Sequence, residues 1–304
     1  MKIQTYYSGI ASKVFVGRLM NYLNKHYGVE RVKSKPDIYF SSVWPGSPPK
    51  RAVRVHRVNG VYFDKSKAGA RSMNKTIAKA ISKARGVVYQ SNYSRNMSKG
   101  ILGVKKSGRI IYNGFDKSCY NGLKADKFGF SKMLVACAKW RPLKRPRSIV
   151  KGFLAAGLSD AVLVMIGGIK ESQQIKHPQV KYIGSIPPAD TYKYYLNCDG
   201  VIHISRLDAC PNVVIEALTA GKPVLGNNVG GTPELIKDSG VIIEIDPPLK
   251  YKMFTMKNPD KVSSAKVAAG IHQMLNTTWN IDRQDLSMKH CAKQYYDYFS
   301  ELLC

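Results

Sequence analysis

The chain has 304 residues, 44% of them hydrophobic, and carries 48 Lys and Arg against 20 Asp and Glu for a formal net charge of +28. That length allows two domains that each bury a core. No low-complexity tract, solenoid repeat, 18-residue apolar run or charged-then-apolar leader occurs, so the chain is expected to be soluble and cytoplasmic rather than membrane-spanning or secreted.

The charge is divided unevenly. Residues 1–115 hold 23 Lys and Arg against three acids, Glu30, Asp37 and Asp64, while the rest carries only +8. Such a field predicts an anionic partner for the first half: a membrane surface on which the protein would sit peripherally, an acidic glycan, or, with less support, a nucleic acid. The six cysteines show no Cys-x-x-Cys pair and no regular spacing. Free thiols in a reducing compartment follow, with no structural metal site.

In chain order, Lys2–Tyr7 reads as a strand closed by Ser8 and Gly9, and residues 13–26 place Val16, Leu19, Met20 and Leu23 at helical spacing. Gly9 is the residue there that would let a backbone approach a phosphate. Asp37–Val43 and Ala52–Val58 read as strands either side of a Pro- and Gly-rich loop, residues 68–85 as a helix, Gly86–Gln90 and Arg109–Tyr112 as strands. Strands alternating with helices predict a parallel, doubly wound sheet, here a compact one with room for few strands. Residues 1–116 form this first Rossmann-like domain, and the polar stretch from Asn113 to Lys127 is the expected linker.

A second domain is expected over residues 129–286. Its strands are Lys132–Ala138, Ala161–Ile166, Val180–Gly184 and Gly200–Ser205, and its helices Ser148–Ala156 and Asp190–Leu196. Residues 287–304 have helical spacing.

Residues 207–236, LDACPNVVIEALTAGKPVLGNNVGGTPELI, place Asp208 and Glu216 eight positions apart around a Cys-Pro-Asn turn. Pro211 suits the first turn of a helix that runs from Asn212 to Ala220 and stops at Gly221. Val224 and Leu225 then read as a buried strand, and Gly230 and Gly231 as a tight turn before a further helix. A helix N-terminus after a loop offers backbone N–H groups and partial positive charge to a phosphate, and a carboxylate on each side of it suits sugar hydroxyls. The arrangement points to a nucleotide-sugar site.

The same window resembles the E-x7-E region of the family 4 glycosyltransferases: an acid at 208, Pro211, Glu216-Ala217, Gly221, Pro223-Val224, Gly230-Gly231 and Glu234. The first acid is Asp where the family has Glu, which shortens the side chain by about one carbon–carbon bond. The likeness is good over residues 86–240 and loose before them. It implies the GT-B fold, two Rossmann-like domains facing a cleft, with the C-terminal helix crossing back onto the first.

It also implies a nucleotide-sugar-dependent glycosyltransferase that retains anomeric configuration and acts on a glycan, lipid-linked or protein acceptor. In residues 138–145, AKWRPLKR, Lys139 and Lys144 stand where the family's Arg and Lys grip the donor diphosphate. The implied donor roles continue with the N–H groups of Asn212, Val213 and Val214 at the β-phosphate and Glu216 at the ribose, while Asp208 faces the transferred sugar. In VRVHRVNG, residues 53–60, His56 is the candidate to orient the sugar or relay a proton, and Arg57 and Asn59 are candidates for the acceptor. With no Asp-x-Asp pattern, neither metal nor other cofactor is expected. The competing readings are a DNA glycosyltransferase, a polyanion-binding protein of the same fold without catalysis, and a nucleotide-sugar epimerase.

Overall fold

The structure is a computed structural model describing residues 1–120, 122–123, 126–255 and 262–304, with side chains described for all of these except residues 10, 11, 119 and 120. Parts of the expected linker, at 121, 124 and 125, and the Cys119 thiol therefore lie outside the described residues. The chain divides into two compact units, Met1–Gly114 with Lys250–Met256 and Asp285–Cys304, and Phe115–Leu249 with Lys257–Gln284.

The first unit contains β1 (Lys2–Tyr7), α1 (Ile10–Tyr27), β2 (Glu30–Arg31), β3 (Ile38–Ser42), β4 (Val53–Val58), α2 (Ala70–Lys83), β5 (Gly86–Tyr89), α3 (Asn92–Leu102) and β6 (Arg109–Ile110). Its six parallel strands run in the order β2-β1-β3-β4-β5-β6. The sheet is thus fuller than its sequence suggests by β2, which has only two residues and is too short to register a period, whereas β6 falls inside the expected strand Arg109–Tyr112. The α3 helix also escapes periodicity, since its NYSRNMSKGIL is largely polar; its signals are the Ser91 cap, which accepts from the Ser94 N–H at 3.0 Å, and Gly103 at φ 67°.

The second unit follows with β7 (Lys132–Cys137), α4 (Pro146–Ala155), β8 (Ala161–Ile166), β9 (Val180–Gly184), α5 (Pro188–Asn197), β10 (Gly200–His203), α6 (Asn212–Thr219), β11 (Val224–Asn227), α7 (Thr232–Ile236), β12 (Gly240–Ile243) and α8 (Ser264–Asn276). The strand order is β12-β11-β10-β7-β8-β9, all parallel. In this order β7 lies between the strands the chain visits next and those it visits later. Such a reversal opens a crevice at the carboxyl ends of β7 and β10, where open α/β sheets bind ligands.

Both faces of each sheet are covered, which explains strands that read as unbroken apolar runs, such as AVLVMI in β8 with all six residues buried. In the first unit one face packs against α1 and the last helix, α9 (Met288–Leu303), where Tyr295 and Phe299 meet Phe40 edge-on at centroid distances of 5.6 and 5.5 Å. On the other face Ile77, Ile81 and Ala84 of the α2 segment pack on Val58, Val87 and Tyr89. Among the described residues no helix is long and apolar enough to cross a membrane.

Candidate active site

The crevice at β7 and β10 is built by two loops that hold one another. After β7, the loop of residues 138–145 ends with Arg145 in the left-handed region at φ 55°, directly before Pro146 opens α4. That geometry turns the Arg145 side chain inward, where it is 3% exposed. Its Nη1 and Nη2 donate to the Asp246 carboxylate at 2.7 and 2.5 Å, and Nη1 also donates to the Ile204 carbonyl at 3.3 Å. Asn227 Nδ2, at the end of β11, donates to the same carboxylate at 2.8 Å. Burial works to raise the Asp246 pKa, but the Arg145 and Asn227 hydrogen bonds and the Arg145 charge hold it below the usual carboxylate range. The carboxyl ends of β7, β10, β11 and β12 are thereby tied to one ionised group.

Lys144, the preceding residue, points the other way and pairs with Asp208 Oδ2, their side chains 20% and 25% exposed. His203 Nε2, at the end of β10, lies 2.9 Å from the same oxygen. Burial alone would raise the Asp208 pKa, yet Lys144 and His203 pull it well below the ordinary value, so the group is a carboxylate and only accepts. His203, 5% exposed, has its own pKa lowered by burial against the opposing pull of Asp208. The neutral imidazole therefore carries its proton on Nε2 and donates it to Asp208.

The backbone around Asp208 is equally constrained. Leu207 adopts φ 69°, a left-handed conformation that costs an apolar residue free energy. The Gly231 N–H donates to the Asp208 carbonyl at 2.7 Å, and a Cβ on Gly230, at φ 86°, would stand 2.8 Å from that carbonyl. The glycine pair is thus the surface on which the Asp208 loop rests. Downstream, the α6 ladder starts with the Val214 and Ile215 N–H groups on the Pro211 carbonyl, at 3.1 and 3.3 Å. The Val214 N–H expected at a phosphate is thus already engaged within the helix.

Glu216 is buried at 9% exposure on α6. Cys137, at the end of β7, has its thiol pushed up to about 11 by burial, with the Glu216 charge adding to the rise, so it is no nucleophile at neutral pH. Lys139 is exposed on the loop between β7 and α4. Three residues of this constellation were not singled out from sequence: His203, Asp246 and Asn227. Arg145, in the same AKWRPLKR stretch as Lys139 and Lys144, is a fourth. The available signals were a histidine closing the apolar run GVIHIS and an arginine immediately before a helix-opening proline.

In the first unit, Gly9 has φ 80° and ψ 150°, a glycine conformation at the start of α1, and nothing lies within 4 Å of where its Cβ would be. His56 and Arg57 are interior, 2% and 1% exposed. Alternation along β4 sends them to opposite faces. His56 Nδ1 pairs with Ser41 Oγ at 2.8 Å, and burial lowers its pKa to about 4. Arg57 donates to Asn59 Oδ1, Gln90 Oε1 and Asn113 Oδ1 and lies 4.1 Å from the Phe15 ring centroid. Asn59 is spent on Arg57, on Ser42 Oγ at 2.8 Å and on Ser12 Oγ at 2.5 Å. The interior placement follows from β4 being a central strand, which reasoning from the motif alone did not anticipate. Among the described residues no group of three His, Cys, Asp or Glu is arranged to hold a metal ion.

The fold is that of the GT-B glycosyltransferases. Anabaena HepE, solved in complex with UDP and glucose, is similar at a TM-score of 0.63 and 16% identity over 99% of this chain and all of the other. Sucrose-phosphate synthase from Thermosynechococcus elongatus is similar at 0.65 and 12% identity over 97% of this chain and 80% of that one. Residues 132–252, the segment that carries the Lys144–Asp208 site, match the family model described as glycosyl transferases group 1. N-acetyl-alpha-D-glucosaminyl L-malate synthase of Bacillus anthracis is 25% identical over 194 residues, 57% of this chain. The match spans half the length of that curated relative. The likeness to the group 1 glycosyl transferases thus rests on residues 132–252, and the likeness of the whole chain to the solved structures is one of fold.

Proposed function

We propose that this protein transfers a sugar from a nucleotide-sugar donor, bound at the carboxyl ends of β7 and β10, to an acceptor that is a glycan, a lipid-linked group or a protein. The observation that carries the reading is the Lys144–Asp208–His203 constellation set beside the N-terminus of α6. Departure of a nucleoside diphosphate develops negative charge on its phosphates. Lys144, the exposed Lys139 and the terminal N–H groups of α6 meet that charge and stabilise the leaving group without calling on a metal ion. Lys144 is already held in the crevice by Asp208, so little side-chain entropy is lost when a diphosphate takes over part of its coordination.

Asp208 is fixed as an acceptor for the hydroxyls of the transferred sugar, with His203 orienting it. Glu216 receives the ribose hydroxyls. Asp208, engaged by Lys144 and His203, stays a hydrogen-bond acceptor rather than attacking the sugar, and front-face return through an oxocarbenium-like state, with retention, is the mechanism we favour. UDP is the nucleotide to test first, since HepE was solved with it. The excess of cations in residues 1–115 favours an anionic acceptor or surface.

The test is a thermal-shift screen against UDP, GDP, ADP and their common sugars, repeated for Glu216→Ala and Lys144→Ala. A nucleotide-selective rise in Tm that both substitutions remove is expected, since a ligand at one hundred times its Kd adds about 2.7 kcal/mol to stability. No rise with any nucleotide, together with stabilisation by heparin or duplex DNA, would replace this reading with that of a polyanion-binding protein.

A further inference from the structure

A cavity of about 510 Å³ lies within the first unit, between β3, β4, α2 and the loop of residues 45–48. It lies beside α2, which packs on β4 and β5, and beneath the loop of residues 45–48, where Gly46 is pressed on Tyr39 and Tyr6. The pocket is distinct from the donor crevice, which belongs to the other sheet. Its size falls in the usual range for small-molecule sites, about 300–1,000 Å³.

The lining has two characters. Tyr39, Pro45, Pro48, Val55, Ala80 and Ala84 form an apolar wall. Arg54, on β4, and Lys79 and Lys83, four residues apart on α2, supply three cations, and no acidic residue lines the pocket. Neither the lysines nor Arg54 make an ion pair or side-chain hydrogen bond among the described residues. Like charges at i and i+4 oppose helix formation, and α2 extends the pattern with Arg71 and Lys75 while carrying no acid at all. A helix that keeps such a stripe without internal compensation is suited to an external anion.

His56 is the second, independent sign. It lines the same pocket, is 2% exposed, and its Nε2 has no hydrogen-bond partner while Nδ1 is engaged by Ser41. A buried imidazole nitrogen without a partner is costly whichever tautomer is present, and a ligand atom in the pocket would relieve it.

We infer that this pocket binds a small organic phosphate, its phosphate held by Arg54, Lys79 and Lys83, its body against the Tyr39 and proline wall, and an oxygen at His56 Nε2. A phosphate monoester carries about −1.5 to −2 charge at pH 7, matching three cations better than a carboxylate does. Arg54 supplies the planar fork that phosphate oxygens accept.

The experiment is calorimetric titration of phenyl phosphate, with inorganic phosphate and benzoate as comparison probes, in saturating UDP to keep the donor crevice occupied. Phenyl phosphate is expected to bind at least tenfold more tightly than either comparison. Arg54→Ala and the Lys79→Ala/Lys83→Ala double variant, neither of which removes a packed core residue, should each weaken it tenfold or more. The His56 Nε2 nitrogen-15 signal should move on titration. Vesicles of phosphatidic acid that displace phenyl phosphate would assign the group to a lipid headgroup, and failure to displace it to a soluble ester; both outcomes uphold the pocket. Equal binding of benzoate, unchanged binding in Arg54→Ala, or binding lost in Glu216→Ala or Lys144→Ala would overturn it. Because the donor screen reads UDP and this one reads phenyl phosphate in its presence, either proposal can fail alone.

Discussion

The two units handle buried charge in opposite ways at the carboxyl ends of their sheets. In the second, Arg145 is buried against Asp246, cation on carboxylate, and Asn227 completes the acceptor. In the first, Arg57 is just as buried but meets only neutral amide oxygens, those of Asn59, Gln90 and Asn113, and the face of Phe15. At this point the second unit pairs its buried guanidinium with a carboxylate and leaves Lys144 and Asp208 as a charged pair at the crevice. The first unit retains a net positive interior, in keeping with the scarcity of acids in residues 1–115. A buried guanidinium can be stabilised by dipoles alone, but its charge is then not cancelled and adds to the field that an anionic ligand would feel.

Removing one partner should separate the two designs. Arg145→Ala leaves the buried Asp246 carboxylate with only Arg206, whose Nε is 3.5 Å from Oδ1, and a loss approaching roughly 3–5 kcal/mol in urea unfolding is expected. Replacing Asp246 by Asn in that background should recover part of the loss, because the orphaned charge is what costs most.

A second effect is pH-dependent and belongs to the first unit. Burial lowers the native His56 pKa to about 4 while the unfolded chain takes up the proton near the ordinary value of 6.5, so between those values the unfolded state binds more protons and stability falls as pH falls. The stability lost should grow progressively below pH 6.5 to about 3 kcal/mol near pH 4, at 1.36 kcal/mol per unit of pKa. Comparing the pH dependence of unfolding with that of His56→Gln checks this: the variant should show a shallower acid slope. The depressed pKa of Asp208 acts in the same direction but at lower pH, its stabilisation being present above the unfolded carboxylate value and lost as pH falls through the native one.

The smallest effect expected is that of Arg57→Met. Methionine can keep packing on Phe15 and leaves three amide oxygens to find water or each other, with no stranded charge, so about 1–3 kcal/mol should be lost. A loss as large as that of Arg145→Ala would mean that the amide cage counts for as much as a carboxylate and would undo the contrast between the units.

Much of this was readable before the fold was known, and where reading failed the reason is physical. The strand Ala161–Ile166 coincides with β8 because both faces of that sheet are covered there, so its side chains are uniformly apolar over a definite length. The α3 helix and the two-residue strand β2 left no periodic signal. At the crevice, spacing put Asp208 and Glu216 on one loop and helix turn, since short-range sequence fixes these, and Lys144 joined them only through the family resemblance. His203 and Asp246 could not be placed beside them, because what joins β10 to β12 is sheet order.

By itself, then, the sequence determined the alternation of strands and helices, the basic first half, and the acid–Pro–Glu–Gly-Gly window with its paired lysines, all of which rest on local spacing and composition. Only the tertiary structure decided that Arg145 turns inward to Asp246 while Lys144 faces Asp208, and that His56 and Arg57 point to opposite buried faces of one strand. The reason is the same in each case. A side chain's direction depends on which neighbours the sheet order supplies, and adjacent residues of a strand or a left-handed turn can be sent to entirely different surroundings.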